Sequence, residues 1–181
     1  MQAEINKVEL RNLKIEDYKE LKNSMIESYP EMVDDYWKET DIKKLLKIFP
    51  EGQLVILVDD IVVGSALSLI VEEDLVEKNH DYAKITGNYT FSTHTPKGEV
   101  LYGIDVFVVP KYRGLRLGRR LYDARKEICE QLNLKSIVFA GRIPNYSQYA
   151  QELTPKGYID KVKRNTLFPY TTLFRYRKSV V

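Results

Sequence analysis

At 181 residues the chain has the length of one domain and enough material to bury a real core. Its 28 basic and 26 acidic residues leave a net charge of +2, which argues against a broad nucleic-acid or membrane-binding face. A single cysteine excludes an internal disulfide and suits a reducing compartment. The opening MQAEINKVELRN lacks the apolar centre of a signal peptide, and the longest apolar run, Ile61–Val71, is too short to span a bilayer. The expectation is a soluble cytoplasmic protein.

Val8–Leu13 alternates and predicts a first strand. Tyr18, Leu21, Met25 and Tyr29 draw a helical stripe that Pro30 stops; Trp37, Ile42, Leu45, Leu46 and Phe49 mark a second helix ended by Pro50. Gln53–Val58 and Ile61–Val71 are rich in β-formers and flank Asp59-Asp60, a two-residue hairpin turn. Glu72–Glu99 is a long polar excursion where a hairpin would need only a few residues. It holds both histidines, His80 and His94, and reads as a short helix at Leu75–Ile85 and a strand at Asn88–Ser92. Two histidines fourteen apart make no recognised metal pattern, so no metal is expected. Leu101–Val109 is nearly all apolar, as in a strand covered on both faces, and Pro110 ends it. Leu117, Leu121, Ala124, Ile128 and Leu132 then step by four and three along one helix face. Lys135–Ala140 predicts another buried strand, Gly141–Asn145 a loop, and Tyr146–Leu153 and Tyr158–Arg164 helices.

Between the Leu101 strand and its helix lies Tyr112-Arg113-Gly114-Leu115-Arg116-Leu117-Gly118-Arg119-Arg120. A helix N-terminus offers unpaired N–H donors and partial positive charge, so a glycine-bearing loop there can seat a phosphate, and arginines add charge that a pyrophosphate can use. Lys111, Arg113, Arg116, Arg119, Arg120, Arg125 and Lys126 face Asp123 as the sole acid of that segment, a local patch suited to a compact polyanion.

This strand-loop-helix resembles the acyl-CoA-binding segment of the GNAT superfamily of N-acyltransferases. There an Arg or Gln is followed three places on by Gly and five places on by Gly or Ala. Arg113 and Gly118 fit; Arg116 stands where the family usually has Gly. The resemblance implies an α/β GNAT fold over about residues 8–164, a mixed central sheet in the order β-α-α-β-β-β-α-β-α flanked by helices. It also implies a splay between the fourth and fifth strands that admits the pantetheine of acetyl-CoA, with Val106, Phe107 and Val108 meeting it through their backbones. The loop contacts would come from Arg113, Gly114, Leu115, Arg116, Leu117, Gly118 and Arg119, and from Asn145, which is equally readable as an ordinary N-cap. Residues 1–164 form the domain on this reading. The C-terminal hairpin of the fold is expected to be missing or replaced, because 165–181, NTLFPYTTLFRYRKSVV, reads either as a truncation artefact or as an odd final strand. The run TGNYTFSTHTPKGEVLYGIDVFVVPKYRGLRLGRRLYDARK further resembles GNAT domains fused ahead of carbon–nitrogen (nitrilase-type) hydrolase domains.

Transfer of an acyl group from a thioester to an amine needs a deprotonated amine, a stabilised oxyanion and a leaving thiolate. The resemblance assigns the base to Asp105, which interrupts the fourth strand just before the cofactor edge, and a thiolate proton donor to Tyr149 or Tyr146. An idle CoA-binding module attached to a hydrolase is the alternative. The acceptor is then a small-molecule or peptide amine; neither nucleic acid nor membrane is a partner, and the oligomeric state is open.

Overall fold

Asp59 and Asp60 both adopt positive φ, 48° and 67°, the turn that matches strand twist in a two-residue hairpin, and they fold β2 (Leu54–Val58) onto β3 (Ile61–Val71). The computed structural model describes residues 5–30, 32, 36–77, 81–140, 146–165 and 176–177. Around this hairpin stands a mixed α/β sheet, with β1 (Val8–Asn12), β4 (Val100–Val108), β5 (Ser136–Phe139) and the two-residue β6 (Tyr176–Arg177) in the order β1-β2-β3-β4-β5-β6. Neighbours pair antiparallel except β4 and β5, which are parallel and joined by the crossover helix α5 (Leu117–Gln131).

Two apolar layers hold the sheet. Helices α1 (Tyr18–Ser28) and α2 (Glu39–Ile48) place Leu21, Met25, Ile42 and Leu45 against Leu67, Leu69, Val71 and Tyr102 on one face. On the other, Leu117, Leu121 and Ile128 of α5 meet Ile56, Ala66, Leu101 and Ile137. Each such side chain contributes about 1.5–3 kcal/mol when fully buried.

Four expectations are corrected. The buried face of α5 carries Arg125 and Cys129, whereas Leu132 remains 44% exposed, because the turn ends there and the chain swings away toward β5. Glu72–Glu99 contains two single-turn helices, α3 (Asp74–Glu77) and α4 (Tyr82–Ile85), not one longer helix. No strand forms at Asn88–Ser92, since positive φ at Asn88, Tyr89 and Phe91 coils the backbone. Tyr146–Leu153 is a 3-10 turn at Tyr146–Gln148 followed by turns, and the helix α6 begins at Pro155 and runs to Asn165. His94 serves the core: its Nδ1 accepts the Ile70 N–H at 3.1 Å and its ring stacks on Phe49 at 5.3 Å. His80 and Asn145 lie outside the described residues. Among the described residues no helix is long and apolar enough to cross a membrane, and no group of three or more His, Cys, Asp or Glu is placed to hold a metal ion.

Candidate active site

The chain leaves β4 at Val108, makes a 3-10 turn over Pro110–Tyr112, and enters α5 through Gly114 (φ 91°) and Arg116 (φ 58°). Arg120 N–H bonds back to the Arg116 carbonyl at 3.2 Å. The preceding amides of Leu117, Gly118 and Arg119 therefore stand at the helix start with no intrahelical acceptor. Leu117 is buried and anchors the turn, while Arg113, Gly114, Leu115, Arg116 and Arg119 are exposed around it. Arg113 Nε donates to the Val108 carbonyl at 3.4 Å, and Arg119 sits 3.7 Å from Asp123. A Cβ on Gly118 would meet only Val108 Cγ2, at 3.9 Å, so the space above it belongs to no protein atom.

Arg116 resolves the sequence departure physically. It adopts the left-handed conformation that a glycine takes without cost, so the loop keeps its course despite the missing glycine. Arg116→Gly is expected to relieve about 1 kcal/mol of strain, raising the melting temperature by about 3 °C with the CoA-binding mode retained. A lower melting temperature in a thermal scan would contradict this account.

β4 and β5 part after four paired positions. Val100 through Gly103 pair with Ser136 through Phe139, while among the described residues β4 runs on to Val108 beside β3 alone. The departure coincides with a bulge: Gly103 opposes Ser68 and Asp105 opposes Leu67, leaving Ile104 as the extra residue. Val109 N–H bonds to the Val63 carbonyl at 2.8 Å, and the Phe107 carbonyl lies 2.7 Å from where a Cβ on Gly64 would stand. Phe107 therefore directs its backbone to β3, and by alternation the amides of Val106 and Val108 face the gap. Of the three backbones assigned to the cofactor, Phe107 is the one turned away; its buried ring instead lies 5.8 Å from that of Tyr29.

Asp105 points to the face covered by α1 and α2. Trp37 Nε1 donates to its Oδ2 at 3.2 Å, and the Tyr29 hydroxyl lies 3.5 Å from its Oδ1 and 3.2 Å from the Val106 carbonyl. Tyr82 closes the same wall, donating to the Ile104 carbonyl at 2.7 Å. Burial pushes the Asp105 carboxyl above the usual carboxylate range, opposed by the Trp37 bond, the Arg125 charge, and bonds at Val106 and Tyr29. A half-buried carboxylate so raised, at the lip of an open strand edge, fits a general base. Tyr29 and Trp37 were not singled out for the site from sequence, and Tyr82 stood out only as part of the Glu72–Glu99 excursion, which could cover the acceptor site. Tyr29 and Trp37 reach the Asp105 carboxylate and Tyr82 the adjoining Ile104 carbonyl, from three separate segments, and no local spacing announces that.

Tyr146 and Tyr149 both stack against Tyr158 of α6, with ring centroids 5.7 and 5.1 Å away. The Tyr146 hydroxyl donates to the Leu153 carbonyl at 2.9 Å, so its proton is engaged in holding this turn. Lys161 Nζ lies over the Tyr149 ring at 4.9 Å.

A helix start with free amides beside a parallel strand pair that splays at a bulge defines a fold for holding a phosphorylated, extended carrier. The acetyltransferase (GNAT) family model matches residues 18–156, and the chain belongs to that family. It is 37% identical over 162 residues to the probable hydrolase YhcX of Bacillus subtilis, covering 90% of this chain and 31% of that protein. It is also 34% identical over 126 residues to the uncharacterized N-acetyltransferase YkwB of the same organism, covering 70% of this chain and 56% of that protein. The chain thus spans about a third and about half of the length of these two curated relatives. Among solved structures, the loading GNATL domain of CurA from Lyngbya majuscula superposes with a TM-score of 0.66 at 22% identity, over 84% of this chain and 77% of that one. The GphF GNAT-like decarboxylase in complex with isobutyryl-CoA gives 0.64 at 17% identity, over 84% and 76%. At these identities the structures show a shared fold.

Proposed function

We propose that the chain is an acyl-CoA-dependent N-acyltransferase that moves an acetyl group from acetyl-CoA to an amine of a small molecule or peptide. The observation carrying this reading is the alignment along β4 of three parts: the amide-lined start of α5, the gap-facing amides of Val106 and Val108, and the carboxylate of Asp105. The diphosphate would sit on Leu117, Gly118 and Arg119 amides within the arginine cluster, and pantetheine would run along the free edge of β4. Asp105 takes a proton from the amine, whose nitrogen attacks the thioester carbonyl. The oxyanion meets a gap-facing amide, and collapse forms the amide bond and breaks the C–S bond. The departing thiolate takes a proton from Tyr149, and the second proton lost by the attacking nitrogen as it becomes the amide restores the tyrosine. Free CoA and the N-acetyl product leave. On this reading residues 1–164 are the acyltransferase unit, to which Tyr176–Arg177 of the 165–181 tail adds the edge strand β6, and the protein works in the cytoplasm.

A second reading is favoured by one comparison, the partial coverage of a relative named as a probable hydrolase. The chain would then be a CoA-binding module without turnover, attached to a carbon–nitrogen hydrolase. Calorimetric titration with acetyl-CoA, followed by thiol release with a panel of amines, separates the two. Binding with turnover supports the enzyme and binding alone supports the module. No heat at cofactor concentrations up to about the millimolar range would defeat both.

A further inference from the structure

Arg125 lies on the middle of α5 with only 1% of its surface exposed, the largest fully buried side chain among the described residues. Its guanidinium is spent on the bulge. Nε donates to Ser68 Oγ at 3.1 Å, and Nη2 donates to the Leu67 carbonyl at 2.7 Å and to the Asp105 carbonyl at 2.6 Å. These two carbonyls belong to one cross-strand pair, the first after the extra residue Ile104. Nη1 has no hydrogen-bond partner among the described residues. It lies against Gly103, the last β4 residue paired with β5, where an added Cβ would stand 2.9 Å from it. Gly103 is therefore the cavity into which the guanidinium fits.

A buried cation with an unfilled donor is a costly way to fill a core. An isosteric apolar side chain in such a place is often as stable or more so. The cost makes sense if the charge and the fork have a job at the bulge. Burial draws the Arg125 pKa down to about 10, and it stays charged at neutral pH. The described titratable groups around Asp105 are Tyr29 at the C-cap of α1, Tyr82 from α4 and Arg125 from α5, and Arg125 is the cation among them.

We propose that Arg125 is a positioning residue for acyl transfer: its guanidinium ties the Leu67 and Asp105 carbonyls across the β4 bulge, fixing the turn that presents the Asp105 carboxylate on one face and the Val106 amide to the gap. The inference rests on the acyltransferase reading. The same cation favours the ionised form of Asp105, so its loss makes the base protonate at higher pH.

The test compares Arg125→Met and Arg125→Lys with the unaltered chain, using acetyl-CoA and the best amine of the panel. Arg125→Met is expected to lower kcat by about tenfold or more, to leave KM for acetyl-CoA within about threefold because the α5 start is untouched, and to move the acid limb of the pH profile upward. Arg125→Lys keeps the charge but cannot span two carbonyls as a fork, so kcat falls while the limb stays. Unchanged kcat and limb in Arg125→Met, measured well below its unfolding temperature, overturn the proposal. If Arg125→Met does not fold, unchanged kcat in Arg125→Lys does so. Should the unaltered chain turn over no amine, the acyltransferase reading fails by itself. The Asp105 carboxyl titration followed by carbon-13 NMR then decides about Arg125, an unmoved midpoint in Arg125→Met counting against it.

Discussion

Asp105→Asn is expected to lower kcat for acetyl transfer by about 10²–10⁴-fold while leaving acetyl-CoA affinity within about threefold. Asparagine keeps the shape: its oxygen can accept from Trp37 Nε1 while its NH2 donates to the Tyr29 hydroxyl oxygen, so the wall around the site stays in place. What it loses is a group that can bind the amine proton. The pH profile carries the sharper signature. Burial raises the Asp105 pKa, so the ionised, active form is lost as pH falls through a value above the ordinary carboxylate range. That acid limb should disappear in the variant, whereas the limb set by the free amine, with an ordinary pKa near ~10.4, persists in both. Stability gives an independent sign. A carboxyl whose folded pKa is raised contributes its stability below the unfolded pKa and loses it as pH rises through the folded one. Above the folded pKa that contribution is gone, so there the variant should unfold at the same temperature as the unaltered chain or higher. Equal turnover in steady-state assays would acquit Asp105, and a parallel loss of affinity by calorimetry would recast it as a cofactor contact.

The strand, the proline stop and the helix from Leu101 to Leu132 were legible because a doubly covered strand and an amphipathic helix obey different periods, and Pro110 marks the join. The hairpin at Asp59-Asp60 was legible because two short polar residues between β-rich runs leave few turn types open. Arg125 was not. Its charge argued for solvent, and Ala124 offered an apolar residue one position away. Only Gly103 across the sheet makes room for the guanidinium, and only the bulge supplies carbonyls for it. The wall around Asp105 was hidden for a related reason. Tyr29 and Trp37 lie 76 and 68 positions away in the chain, and each looked like an ordinary aromatic in a helical stripe or link. The polar stretch after β3 was misjudged where left-handed turns at Asn88, Tyr89 and Phe91 fold it back, which lets Phe91 bury its ring 5.6 Å from Trp37. Turn conformations set by such contacts leave no periodic trace.

Gly118→Val should abolish acetyl-CoA binding, raising Kd by at least about 100-fold, or roughly 2.7 kcal/mol, in a protein that folds normally. Two features of the loop make the outcome discriminating. A Cβ at this position meets only Val108 Cγ2 at ordinary contact distance, and the backbone lies outside the left-handed region, so the chain itself has no need of glycine there. In a helix first turn, replacing glycine removes an entropic cost of about 0.5–1 kcal/mol, enough that Gly118→Ala should hold or raise the melting temperature. The only demand for glycine is then external: a phosphate must come within hydrogen-bond distance of the Leu117, Gly118 and Arg119 amides, and a branched side chain blocks that approach. Alanine should weaken binding less than valine, in the order of their size. Calorimetry on the series, beside melting curves, reads both effects. An unchanged Kd in Gly118→Val would remove the diphosphate from this helix start, and with it the positioning that aims the thioester at Asp105.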